Sequence, residues 1–123
     1  MSNKALAKPK VPPLTPAVFH ILLALADGRK HGYAILKQVN ADGGHSLRMG
    51  PGTLYGSLQR MQASGLVQES EDASDERRRF YDLTGSGQRA LVNELERLRG
   101  VLTAATRKGL ASPASFGASR TSR

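Results

Sequence analysis

The spacing of apolar residues changes twice along this chain, and those two changes restrict most of what it can fold into. From Val18 to Met61 they recur every three or four residues, after Gly65 they alternate, and from Leu91 they return at intervals of four, three and four. Helical spacing marks amphipathic helices, alternation marks strands, and the last rhythm is that of a heptad seam. The expected order is three helices, a two-stranded hairpin and a long final helix. That is a mainly α fold with a small β-hairpin wing, a winged helix-turn-helix followed by a C-terminal dimerisation helix.

Local signals place the elements. In "LTPAVFHILLALADG", Thr15 suits an N-cap, Pro16 the first helical position and Gly28 the residue after the end. Val18, Ile21, Leu22, Leu25 and Ala26 form its stripe, widened by Phe19 and Leu23. "HGYAILKQVN" predicts a second helix burying Ile35, Leu36 and Val39, followed by a connector rich in breakers, "ADGGHSLRMG". The third helix is expected over about 51–64. "LVQES" and "RRFYDLT" read as strands joined by the polar loop "EDASDER". Within the second strand, Arg79, Tyr81 and Leu83 share one face and Arg78, Phe80 and Asp82 the other. Thr84 then opens the last helix. These signals divide the chain into a flexible basic arm (1–13), a winged-helix domain (14–84), a dimerisation helix (85–108) and a disordered tail (109–123).

The third helix carries the surface that calls for a function. Leu54, Leu58 and Met61 hold it against the core, leaving Thr53, Tyr55, Gly56, Ser57 and Arg60 outward. An α-helix fits the DNA major groove and reads base edges from its N-terminal end. Pro51 and Gly52 start the helix, and the amides of Gly52 and Thr53 would suit a phosphate. Gly56 would admit close approach of DNA, and Arg60 would neutralise a phosphate or read guanine. Tyr33, near the start of helix two, could offer its hydroxyl to the backbone. On the wing, Arg77, Arg78 and Arg79 suit minor-groove or phosphate contact. Six acids accompany those three arginines within residues 65–85, so pairing among neighbours is the competing reading there. Tyr55 packing on the wing competes in the same way.

Composition agrees with double-stranded DNA as the partner. The formal net charge is +8, and a polyanion is the natural counterpart of such a chain. With no cysteine, a disulfide framework and cysteine-based zinc or nucleophile chemistry are excluded. No apolar run approaches a membrane span of roughly 18 residues, and no signal peptide is evident, so a cytoplasmic protein is expected. Catalysis finds no support. His20, His31 and His45 are scattered, "GPGT" lacks the lysine of a phosphate-binding loop, and Ser86 in "GSG" lacks a nucleophile elbow. No cofactor or metal is expected. The seam of Leu91, Leu95, Leu98 and Leu102 would be an exposed apolar patch in a monomer, which points to a homodimer and an inverted-repeat operator. A winged helix serving as a protein-interaction adapter without specific DNA binding is the alternative, favoured by the acidic wing.

"HGYAILKQV", "GTLYGSLQRMQASGLV" and "RRRFYDLTGSGQRAL", in this order and spacing, resemble the PadR family of bacterial transcriptional regulators over about residues 14–105. The resemblance rests on Gly32 and Tyr33, then Gly52, Thr53, Leu54 and Tyr55, then Tyr81, Leu83, Thr84 and Gly87. It implies a homodimeric winged-helix repressor of the short form, dimerising through one C-terminal helix. Two departures stand out: Met61-Gln62 where Leu-Glu is commoner, and Phe80 where tyrosine often stands. Relatives of this kind can respond to small aromatic or drug-like effectors near the dimer interface. Without tryptophan, Phe19 or Tyr33 would have to supply the stacking surface, and an effector-free protein is the alternative.

Overall fold

The computed structural model describes residues 14–44, 47–72 and 75–110, with side chains 72–77 outside the description. The expected arm (1–13), most of the expected tail and the side chain of Arg77 therefore lie outside the described residues. Four helices and a small sheet follow in the order α1 (Pro16–Ala24), β1 (Lys30–His31), α2 (Gly32–Gly43), α3 (Pro51–Ala63), β2 (Val67–Asp72), β3 (Asp75–Leu83) and α4 (Gly85–Arg107). The sheet is antiparallel with strand order β1-β3-β2.

One core explains the helical stripes. Ile21, Leu22 and Leu25 meet Ile35 and Val39 of α2, Leu54, Leu58 and Met61 of α3, and Leu91 of α4, all nearly inaccessible to solvent. α1 begins as expected, with the Thr15 hydroxyl accepting from the Val18 amide at 3.2 Å. It ends earlier than expected, at Ala24, and turns fill the interval to Gly28. Ala26 is accordingly exposed.

Four further elements differ from expectation. α2 runs through Gly43, three residues into the presumed connector, supported by Gln38 donating to both carboxylate oxygens of Asp42 at 3.1 Å. β2 and β3 extend into the polar loop, because ladder hydrogen bonds are made by backbone and need no apolar side chains. β1 was not expected at all. Its two residues pair with Tyr81 and Phe80 and turn the hairpin into a three-stranded sheet, with no periodicity of their own to announce it.

The junction between wing and α4 is closed by main-chain contacts. Gly65 adopts φ +80° after α3, a left-handed conformation suited to glycine. Thr84 caps α4 by accepting from the Gly87 amide at 3.0 Å, and its hydroxyl donates to the carbonyls of Gly65 (2.6 Å) and Leu66 (3.1 Å). One residue thus starts the helix and ties it to the end of α3.

Candidate nucleic-acid interface

α3 presents an outward surface that begins at its N-terminus. Pro51, Gly52, Thr53, Tyr55 and Arg60 are exposed, and Gly56 is half-buried. Gly50 is the N-cap and makes no side-chain cap bond, so the first-turn amides are not capped by a side chain. Ser57 is a correction. It is only 2% exposed and lies on the packed side beside Leu54, Leu58 and Met61, so it cannot meet DNA directly. Its hydroxyl instead accepts a long 3.4 Å contact from Arg60, whose guanidinium folds back along the helix. A Cβ on Gly56 would meet Arg60 only at an ordinary 3.6 Å, so no crowding within the chain demands glycine there. Gln59, passed over in the sequence, is exposed at the centre of this arc, four residues after Tyr55 and three after Gly56. That spacing was the available signal.

Tyr55 bridges two elements. Its ring lies across the start of α2, where a Cβ on Gly32 would stand only 2.3 Å from the Tyr55 hydroxyl oxygen. Glycine at the head of α2 is therefore what allows the tyrosine to lie there. Beside it opens a cleft of about 370 Å³ lined by His31, Tyr33, Tyr55, Arg78, Arg79 and Tyr81, between α2, α3 and the wing. Tyr33 stands at its edge, 67% exposed, with the Lys37 ammonium 5.6 Å from its ring centroid. Tyr81 closes the floor. Burial raises its phenol above the ordinary range, and the neighbouring Glu69 carboxylate pushes the same way.

The two described wing arginines both line this cleft but take different partners. Arg79 faces the cleft side and forms an ion pair with Glu69 at 2.9 Å, with Glu71 at 3.9 Å. Arg78 also borders the cleft, where its guanidinium approaches His31 Nε2 at 3.4 Å. His31 stacks on Phe80 at 4.0 Å, and the Arg29 guanidinium sits 4.1 Å from the same ring. Phe80 thus serves as an apolar platform for the Arg29 cation and the His31 ring.

α4 supplies the second surface. Leu91 is another correction: it is 4% exposed and belongs to the core of its own domain rather than to an interface. Further along the same face, Leu98 is half-buried while Leu95 and Leu102 are exposed, as are Val92 and Val101 beside them. The stripe therefore runs out of the core into solvent along a 23-residue helix. Between these regions Glu94 is buried and held by Arg97 through bonds of 2.6 and 3.1 Å. The hydrogen bond from that guanidinium keeps its carboxyl below the usual carboxylate range.

A wing beside a solvent-facing third helix, both resting on one helical core, defines a winged helix-turn-helix, a DNA-binding architecture. Residues 21–93 match the family described as the transcriptional regulator PadR-like family, more than half of the chain. The protein belongs to that family of transcriptional regulators. Over 76 residues it is 37% identical to the transcriptional regulator Rv3488 of Mycobacterium tuberculosis, covering 61% of this chain and 68% of that protein. It is 45% identical over 74 residues to a 37.1 kDa protein in transposon TN4556 of Streptomyces fradiae, covering 60% of this chain but 20% of that one. The fold is similar to that of Bacillus subtilis PadR in complex with operator DNA, with a TM-score of 0.60 and 22% identity over 68% of this chain and 48% of the other. No helix among the described residues is long and apolar enough to cross a membrane.

Proposed function

We infer that this protein is a cytoplasmic homodimeric repressor that reads an inverted-repeat operator with α3 and flanks it with the wing. The observation that carries the reading is the division of labour on α3. Every large apolar side chain of its middle turns is spent on the core, while Thr53, Tyr55, Gln59 and Arg60 stand in solvent from its N-terminal end onward. Tyr33 and the cleft beside Tyr55 would take the adjoining phosphates. Two copies related by a two-fold axis would set their α3 helices about 34 Å apart, one turn of duplex.

Fluorescence anisotropy against the upstream DNA of its own gene, with random duplex as control, tests this at two salt concentrations. Preferential, salt-sensitive binding to the upstream fragment is the expected result. The acidic wing, with Arg79 held by Glu69, favours the adapter reading instead. Binding to neither duplex would support that alternative.

Arg60→Ala is expected to weaken operator binding by roughly 1–3 kcal/mol if the guanidinium reads a base. Titration against the operator and a single-base variant checks it, and unchanged affinity would remove Arg60 from the interface. On the wing, Arg79→Ala should cost less affinity than Arg60→Ala, because the Arg79 charge is already offset by Glu69. Equal losses in the same titration would contradict that order.

Any small-molecule effector would act most directly beside the α4 stripe. A groove of about 330 Å³ lies there, with Leu14, Leu66 and Ala90 as apolar lining and Ser86, Arg89, Asn93, Glu94 and Arg97 as polar lining, the Arg97 charge being held by Glu94. Phe19 packs against the core and Tyr33 borders the DNA-facing cleft, so neither stacking candidate belongs to this groove.

A further inference from the structure

α3 depends for its aim on something other than its own cap. Gly50 contributes no side chain to the N-cap, and the residues just before it form no regular element. What holds the chain there is Asn40, in the last turns of α2. Its amide donates to the Met49 carbonyl at 3.0 Å, and its Oδ1 accepts from the Met49 amide at 2.8 Å. Both main-chain groups of one residue are thereby bound by a single side chain, as a neighbouring strand would bind them. The Met49 side chain is itself buried in the core at 5% exposure, so this residue is held from two sides immediately ahead of Gly50 and Pro51. A second tether lies four residues upstream of Pro51. Leu47 packs over Gly43, where a Cβ would come within 2.6 Å of the leucine Cβ.

We propose that Asn40 is a positioning residue for DNA recognition: by clamping the Met49 backbone it fixes the N-terminal, base-reading end of α3 relative to α2. The proposal rests on the reading of α3 as the recognition helix. Sequence readout requires donors and acceptors to meet base edges in register, whereas phosphate attraction tolerates small displacements. Loosening the clamp should therefore reduce discrimination between sequences more than it reduces affinity for DNA in general. Leu54, Leu58 and Met61 keep α3 on the core in either case.

The test uses the full chain and duplexes that the wild-type protein selects from a randomised library. N40A removes both bonds. N40D keeps an acceptor for the Met49 amide but sets a carboxylate against the Met49 carbonyl, and it serves as the second variant should N40A fold poorly. Both are compared at a temperature where far-ultraviolet circular dichroism shows wild-type helix content. N40A is expected to lose about ten-fold or more of the preference for selected over random duplex, the scale of one mismatched base pair. Affinity for random duplex should stay within about two-fold, because it is set by phosphate charge. N40D, retaining one bond, should fall between. Amide exchange should quicken at Met49 and in the first turn of α3 and stay unchanged in α1 and α4.

A folded N40A that keeps the wild-type preference, or whose exchange at Met49 is unchanged, overturns the proposal. So does a uniform loss of affinity for both duplexes, which would mark Asn40 as merely structural. If the wild-type protein selects no sequence, the DNA-reading assignment of α3 fails and the inference fails with it. If it selects one and N40A selects it equally well, only the inference fails.

Discussion

Leu95→Glu is expected to convert the protein to a folded monomer and to abolish tight operator binding. Leu95 is 42% exposed and lies beyond the point where α4 leaves the core, so the substitution removes little from the fold. In a dimer joined along this stripe, two new carboxylates would be buried in an apolar seam without partners, at a cost of several kcal/mol. Loss of the dimer also removes the linkage between two recognition helices. Each half-site must then be bound separately, which weakens binding by about 10²–10⁴-fold. Sedimentation velocity reports the mass, and anisotropy against a two-half-site duplex reports the affinity. Leu91→Glu is the contrasting variant. Since Leu91 sits in the domain core, it should unfold the chain rather than dissociate it. A Leu95→Glu protein that remains dimeric would place the interface elsewhere and take the inverted-repeat geometry with it.

How much of this was visible in the sequence depended on whether a residue's role came from its own neighbours or from distant ones. α1, α3, α4 and the hairpin were legible because caps, prolines and periodicity are local signals. Thr15 and Thr84 both cap as their positions suggested. Ser57 misled because it borders the Leu54-Leu58-Met61 stripe, and a small polar residue at such an edge can fall on either side. The structure turns it inward. Leu91 misled for the complementary reason. Its spacing shows that it shares a face with Leu95 and Leu98, but which stretch of that face the domain covers depends on where α4 meets α1 and β3. β1 exists only because β3 offers Tyr81 and Phe80 as pairing partners, which two residues cannot announce. The tie between Gly32 and Tyr55, and that between Asn40 and Met49, join residues far apart in the sequence or across a connector. A single sequence shows the members of such pairs without showing that they touch.

The glycine of the Leu-Thr-x-x-Gly entry to α4 yields the second large effect. Gly87→Ala is expected to destabilise the fold by about 1–3 kcal/mol, as an added methyl does when it is forced into a filled site. A Cβ at Gly87 would stand 2.0 Å from the Leu66 carbonyl oxygen and 3.0 Å from its carbon. Those are backbone atoms with no rotamer to change. The same carbonyl accepts from the Thr84 amide and from the Thr84 hydroxyl, both at 3.1 Å, so moving it aside also strains the cap of the helix. Alanine has the better intrinsic helix propensity, by about 1 kcal/mol, which offsets only part of this cost. Gly85→Ala isolates that propensity gain. Gly85 is exposed in the same first turn, and a Cβ there meets only the tip of the Arg89 side chain at 3.4 Å, so this variant should match or exceed the wild type. Thermal unfolding of the two variants decides the matter: Gly87→Ala should melt lower by several degrees and Gly85→Ala should not, at about 4–8 °C per kcal/mol for a domain of this size. Equal melting temperatures would mean that the wing and α4 can part without cost. If they cannot part, the contact at Gly87 sets the angle at which the Leu95–Leu102 stripe leaves the domain, and through it the distance between the two α3 helices in the proposed dimer.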